Sequence, residues 1–317
     1  MSVNIGRTHL WEQDVVQSVD MYNEWFLNFA PNTFRQTRIT ATNIVESSLK
    51  ATAYLRNISP EVLRAYPGIL STLRMSTCPP IAVDRLIGLA GVSPSLVKMM
   101  EIDQKLPLRM SSDTLNRELS KIGRIIGQMA DLEIFNWLIT GREPTENEVH
   151  RAATIVADRL CAAQANPIIR NEQEKRQLSK IKAWLEARGY VEIPLGERAD
   201  FRGMRNGTFS FRLNVVVGRN NLVNIPVDAV IMPRYARPGE LPLLIEAKSA
   251  GDFTNTNKRR KEEAVKMSQL RDKYGDEVKF ILFLCGYFGI GYLEYEADEG
   301  IDWVWEHRIN DLEEFGL

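Results

Sequence analysis

The order of apolar and polar residues divides the chain near residue 165. Before this point, apolar residues recur at steps of three and four, which is the spacing of one buried helix face. Two such stripes are Trp11, Val15, Val19, Tyr22, Phe26 and Phe29, and Leu115, Leu119, Ile122, Ile126 and Met129. The pattern predicts an all-α region over residues 1–165.

After residue 165 the pattern changes to an alternation of helices and strands. Helices are predicted over 171–188 and 257–274, and strands over 190–193, 209–217, 222–232, 241–247 and 278–288. The strand over 209–217 shows period-two alternation, as expected for a sheet with one face buried. We therefore predict a second, α/β domain over residues 166–317.

Composition limits the class of protein. The 317 residues are 44% hydrophobic and 26% charged with a net charge of −1, which excludes a disordered or fibrous chain. The longest apolar run has about six residues (280–285), against roughly 18 for a membrane span. Residues 1–12 show no export signal, so a cytoplasmic protein is expected. Three cysteines and three histidines lie far apart, which favours neither disulfides nor a zinc site.

Charge is unevenly distributed. Residues 254–275 carry seven basic and three acidic side chains. A local basic face is compatible with binding an anion, although a solvated helix surface explains the same charges.

Two carboxylates stand in strands that should be apolar. Asp228 lies within the run 225–231, and Glu246 follows the apolar residues 243–245. A carboxylate in such a position is costly unless it is paired or binds a metal. Glu246 and Lys248 are two residues apart, so both point to one face of a strand. With Asp228 from a neighbouring strand they predict a Mg²⁺ site, since this hard cation prefers oxygen ligands.

Asp228 is followed by a gap of 17 residues and then by Glu246-Ala247-Lys248. This arrangement resembles the motif of the PD-(D/E)xK nuclease superfamily. One departure is that Pro226 stands two residues before Asp228 instead of next to it. A structural salt bridge is the alternative interpretation of Glu246 and Lys248. Residues 166–178, 245–249 and 291–308 narrow the likeness to the XamI family of type II restriction endonucleases.

This resemblance implies a restriction-endonuclease-like α/β (α+β) fold, a mixed sheet flanked by helices, behind the helical N-terminal region. It also implies Mg²⁺-dependent cleavage of double-stranded DNA at a short palindrome, GTCGAC for the namesake, with 5′-phosphate ends. Asp228, Glu246 and the carbonyl of Ala247 would hold the metal, and Lys248 would orient or deprotonate the attacking water. Glu174, on the buried stripe of the helix over 171–188, is the candidate for a further glutamate that many superfamily members use.

DNA contacts are predicted in two places. The first turn of the basic helix carries Lys258, Arg259, Arg260 and Lys261, which suit phosphates or guanine edges. Residues 84–100 resemble a helix-turn-helix, in which Ser93, Ser95 and Lys98 would open the recognition helix. For residues 84–100, the alternative is a chance helical hairpin. For the function of the protein, the alternatives are a non-catalytic helix-turn-helix DNA-binding regulator and a repair or structure-specific nuclease of the same superfamily.

A palindromic target predicts the partners. Two active sites, one for each strand, are most simply supplied by a homodimer, built through the helical region or a sheet edge. A cognate DNA methyltransferase is expected as a genetic partner.

Overall fold

The computed structural model describes residues 3–193, 201–218 and 222–317, without the side chains of 163, 164, 255 and 257–259. The helices are α1 Trp11–Ala51, α2 Pro60–Ala65, α3 Leu70–Met75, α4 Val83–Ala90, α5 Pro94–Lys98, α6 Ser112–Met129, α7 Trp137–Thr140, α8 Glu146–Ala187, α9 Phe253–Tyr274 and α10 Ile290–Asp298. The strands are β1 Val191–Glu192, β2 Thr208–Val217, β3 Val223–Met232, β4 Leu243–Ala250, β5 Lys279–Gly286 and β6 Asp302–Trp305.

The chain forms two compact units. The sheet unit contains residues 1–29 and 169–317, and the helical unit contains residues 30–168. The helices α1 and α8 each contribute residues to both units. The long helices contain Pro31 and Pro167 in their interiors.

The helical unit is built around an apolar core. Its buried stripe in α6 runs through Leu115, Leu119, Ile122 and Ile126, as the spacing predicts. The side chain of Ser111 accepts a hydrogen bond from the Thr114 amide and caps this helix. Thr145 and Glu148 form a capping box at the start of α8, because Thr145 Oγ1 accepts from the Glu148 amide while the Glu148 carboxylate accepts from the Thr145 amide.

Residues 1–29 were predicted to belong to the helical region, but the described ones pack within the sheet unit. The buried Asp302 carboxylate accepts hydrogen bonds from the amides of Asn4 and Ile5, at 3.1 and 3.2 Å. The ring of Trp11 packs edge-on against Trp303, 5.4 Å between centroids. These contacts join segments some 300 residues apart, which helical periodicity cannot indicate.

The sequence pattern predicts a boundary between two domains at residues 166 and 167, but no helix ends there. Instead α8 continues through Pro167 to Ala187. Proline removes one backbone N–H from the ladder. Residues of the helix on both sides of the proline are buried, Ala165 before it and Gln173 and Gln177 after it.

Within the described residues, the sheet has six strands in the order β1-β2-β3-β4-β5-β6. Strand β3 is antiparallel to both of its neighbours, β2 and β4. Strand β1 is parallel to β2, and β4, β5 and β6 are parallel to one another. Apolar residues of α8 share one core with the sheet, and those of α9 share the core of the other face. This mixed sheet between helices confirms the predicted restriction-endonuclease-like fold class.

Strands β2 and β3 exchange faces in their middle. Phe209 packs in the core on the α8 side, whereas Leu213 and Val215 pack in the core on the α9 side. Between them Arg212 has a φ of +53°, which is uncommon for a residue with a side chain. A single uninterrupted alternation over 209–217 was predicted, and the reversal at Arg212 breaks it.

The segment after β5 looks strand-like in sequence but forms a helix. Residues 292–294 lie in α10, which begins after Gly289. Tyr292, Leu293 and Glu296 are its buried residues, at helical spacing. In the described parts of the chain, no helix combines the length and apolarity that crossing a bilayer requires.

Candidate active site

The candidate site lies where β3 separates from β4. These strands pair only from Ala229–Ile245 to Ile231–Leu243. Continuing that register by one step would place Asp228 opposite Glu246, but the ladder has ended there. Instead Oδ2 of Asp228 accepts a hydrogen bond of 2.8 Å from the Ala247 amide. The carboxylate thus binds a backbone donor that the separated strand leaves unpaired, which brings Asp228 beside the Glu-x-Lys segment.

Glu246 and Lys248 point to the same side of β4, as the period of two predicts. Their neighbours in the strand show this, since Leu244 packs in the core on the α9 side and Ile245 in the core on the α8 side. Lys248 Nζ lies 3.1 Å from Glu246 Oε1. Both side chains are largely buried, with 9% exposure for Glu246 and 16% for Lys248.

Two further charged side chains reach this site from α9. Lys266 Nζ donates to Glu246 Oε1 at 2.6 Å, and Glu263 Oε1 lies 2.8 Å from Lys248 Nζ. Sequence reasoning counted both among the charges of a surface helix. The missed signal is their place on the buried stripe of α9, because Glu263 precedes the buried Met267 and Leu270 by four and seven residues.

The site perturbs the protonation of its own groups. Burial and the nearby charge of Glu246 raise the pKa of Asp228 to about 6. Burial alone would lower the pKa of Lys248, but the charges of Glu246 and Glu263 outweigh it and raise that pKa above its ordinary value. The site therefore holds Lys248 as an ammonium ion among carboxylates.

A fourth carboxyl group lies behind this cluster. Glu296 of α10 is fully buried, and burial together with the charge of Glu263 raises its pKa to about 8. At neutral pH the group is therefore mostly protonated. A neutral Glu296 limits the negative charge that collects around Lys248.

Glu174 is at the edge of the site. Its Oε1 accepts a hydrogen bond of 2.9 Å from Arg212, and its side chain is 38% exposed. It is near enough for its charge to contribute to the raised pKa of Asp228. The structure thus places Glu174 beside Asp228, paired with an arginine that the sequence reasoning did not single out.

The basic residues of α9 are placed differently from the sequence prediction. The helix begins at Phe253, so Lys258 to Lys261 lie beyond its first turn. The Arg260 guanidinium stacks over the Tyr295 ring at 4.8 Å, and Lys261 is exposed. The predicted DNA contacts of Lys258 and Arg259 lie outside the described side chains.

The helix-turn-helix candidate is part of the helical unit. The helices α4 and α5 are joined through Gly91, whose φ of +57° ends α4. Ser93 and Ser95 hydroxyls lie 2.8 Å apart at the start of α5, and Lys98 is exposed at its end. The second helix has only five residues. DNA binding by these three residues stays a prediction.

The donor set suits a hard cation more than a transition metal. Within the described ranges, no group of three or more His, Cys, Asp or Glu residues has the arrangement of a metal site. Asp228 and Glu246 nevertheless converge, and Glu246 Oε2 is buried without a hydrogen-bond partner among the described residues. Two carboxylates beside an ammonium ion can bind a cation and stabilise negative charge on a phosphate.

Comparisons with known proteins bear on this geometry. A solved structure, protein VC1899 from Vibrio cholerae, overlaps 86% of this chain and 55% of its own, with a TM-score of 0.29 and 13% identity. That overlap is too weak to carry an argument. The type II restriction enzyme SalI of Streptomyces albus G is 54% identical over 316 residues, 99% of each chain. The model of the XamI restriction endonuclease family matches residues 53–305. The chain therefore belongs to the XamI restriction endonuclease family and is a type II restriction endonuclease, a site-specific deoxyribonuclease.

Proposed function

We propose that this endonuclease cleaves double-stranded DNA with Mg²⁺, using Asp228, Glu246 and Lys248. The observation that carries the proposal is the convergence of these three side chains where β3 and β4 separate. Family membership supports DNA as the substrate. It gives no support to the alternative of a non-catalytic regulator.

The residues present fit Mg²⁺. Asp228 and Glu246 offer carboxylate oxygens, and burial together with the charge of Glu246 raises the pKa of Asp228, both of which a bound cation would offset. We assign the carbonyl of Ala247 as the third protein ligand and Glu174 as an outer carboxylate of the site. Mg²⁺ usually keeps several waters, so few protein ligands are sufficient.

When bound, the cation would supply Lewis-acid polarisation of the scissile phosphate. As an ammonium ion, Lys248 donates hydrogen bonds, so we assign it to orienting the attacking water and to stabilising charge on the phosphate oxygens. Water attacks phosphorus and the bond to the 3′ oxygen breaks. The products then carry 5′-phosphate and 3′-hydroxyl ends.

The target we propose is a short palindrome, with GTCGAC as the first sequence to test because the family resemblance implies it. A homodimer would place one active site on each strand. A cognate methyltransferase would protect the host DNA in the cytoplasm, without any physical contact being required.

The test is incubation of the purified protein with plasmid DNA at graded Mg²⁺, wild type beside Glu246→Ala. We expect discrete fragments that require both Mg²⁺ and Glu246, and sequencing of their ends gives the target and the stagger. Glu262→Gln is the control for a charge change at an exposed site.

Two results would contradict the proposal. Fragments of equal yield from Glu246→Ala would remove that residue from the site. Cutting at junctions or damage, without a constant sequence at the ends, would favour a structure-specific nuclease of the same superfamily.

A further inference from the structure

Helix α9 contacts the Glu-x-Lys segment through two residues that lie one turn apart. Glu263 pairs with Lys248, and Lys266 pairs with Glu246. Side chains three residues apart in a helix share a face, so one helix presents both charges to β4. Glu246 and Lys248 thus each have a partner of opposite charge outside their own strand.

Lys248 has two carboxylate partners that are not equivalent. Glu263 is the nearer, with its Oε1 2.8 Å from Nζ, against 3.1 Å for Glu246 Oε1. The same oxygen of Glu246 also accepts from Lys266 at 2.6 Å. Glu246 is therefore already shared between two lysines, and as a proposed metal ligand it is less able to fix Lys248.

The stability of the fold does not by itself explain why Glu263 is buried. Its side chain is completely buried, where an ionised carboxylate is costly and an apolar residue of similar size would often be more stabilising. Glu263 also lies near the buried Glu296, where burial together with the charge of Glu263 disfavours ionisation of Glu296. A contact kept at this cost calls for a functional reason.

We propose that Glu263 is a positioning residue of the cleavage reaction, which holds the Lys248 ammonium in place from α9. The proposal rests on the proposed function, since it assumes that Lys248 acts on the scissile phosphate. Glu263 itself touches neither the DNA nor the reacting atoms. Its role resembles that of outer residues that orient the ligands of a metal site.

The test is Glu263→Gln, which keeps the shape of the side chain but removes its charge. We expect kcat for a GTCGAC duplex to fall roughly 10- to 100-fold, the range typical for loss of an orienting partner. KM and the affinity for the duplex without Mg²⁺ should stay unchanged. The neighbouring exposed residue supplies the matched control, and Glu262→Gln should cleave as wild type.

A kcat equal to that of wild type would overturn the proposal. So would a parallel loss of kcat, DNA affinity and thermal stability, because a merely structural residue would move all three. Glu263→Asp provides the second comparison, since it keeps the charge and withdraws it by one methylene. It should lose less kcat than the glutamine variant, and an equal loss would show that the charge is not what matters.

If Glu263→Gln fails to fold, the aspartate variant decides the question. A folded Glu263→Asp with lower kcat and unchanged KM supports positioning, and a wild-type kcat rejects it. Wild-type protein that cleaves no duplex with Mg²⁺ would instead overturn the proposed function and the inference together. Normal cleavage by wild type and by both variants would reject the inference alone.

Discussion

The helical unit and the sheet unit treat buried charge differently. In the described part of the helical unit the buried charged residues are Arg74 and Asp131, and each has an oppositely charged partner, Glu101 for the first and Arg159 for the second. Among its described residues, the sheet unit buries six carboxylates, which are Asp14, Glu246, Glu263, Glu296, Asp302 and Glu306. Asp14 and Glu306 pair with Arg308 and Arg176, whereas Glu246 and Glu263 share Lys248. The helical unit thus keeps its charges neutralised in pairs.

The difference points to the proposed active site. Glu246 and Glu263 share Lys248, Glu246 also binds Lys266, and the pKa of the nearby Glu296 rises to about 8 because burial and Glu263 disfavour its charge. Buried groups with shifted pKa values are typical of functional sites. We therefore expect charge substitutions to change activity and pH dependence in the sheet unit, and packing substitutions to change stability in the helical unit.

The largest expected effect is the loss of cleavage in Lys248→Ala. Removing one group that stabilises charge in the transition state typically costs roughly 10²- to 10³-fold in rate. Affinity for duplex DNA should be retained, because the residue is largely buried within the site. Single-turnover cleavage and a binding gel check both parts, and full cleavage would remove Lys248 from the mechanism.

The helical unit should respond to packing instead. A Cβ at Gly123 would lie 2.1 Å from the carbonyl oxygen of Ile58, so Gly123→Ala should lower the free energy of unfolding by about 1–3 kcal/mol. Gly127 is in the same helix with open space around it, and Gly127→Ala should raise that free energy by about 0.5–1 kcal/mol. Urea unfolding measures both, and equal effects at the two glycines would contradict the predicted contact.

Glu296→Gln should change how stability depends on pH. The carboxyl titrates near 4.5 when unfolded and near 8 when folded, because burial disfavours its charged form. Between these values the folded state holds one more proton, so stability falls as pH rises, by at most about 1.4 kcal/mol per pH unit. The variant should lose this contribution, whereas Glu294→Gln, at an exposed site on the same helix, should keep it. Unfolding curves from pH 5 to 8 test this, and an unchanged slope in Glu296→Gln would contradict the prediction.

The smallest expected effect concerns the exposed basic side of α9. If Lys261 contacts a phosphate, Lys261→Ala should reduce the slope of log affinity against log salt by about 1. Lys273 lies at the other end of the helix, where its ammonium donates to the Gly218 carbonyl, and Lys273→Ala is the control. Equal slopes for Lys261→Ala and wild type would place Lys261 away from the DNA.

Much of the fold could be predicted because its signals are local. The buried stripe of α6, the capping box at Thr145 and the apolar runs of β4 and β5 each lie within one segment. Within the site, the shared direction of Glu246 and Lys248 follows from the period of a strand. Each of these features requires only residues that are close in sequence.

The amino-acid sequence by itself therefore determined the order of most elements, the common side of Glu246 and Lys248, and the likeness to a nuclease family. Only the tertiary structure decided that β2 and β3 exchange faces at Arg212, and that residues 3–29 pack with the sheet. It also decided that Glu263 of α9 binds Lys248. The physical reason is that periodicity reports how one segment divides its residues between two sides. Which charges meet depends on segments brought together across the fold, and the spacing that places Glu263 on the buried stripe of α9 does not identify Lys248 as its partner.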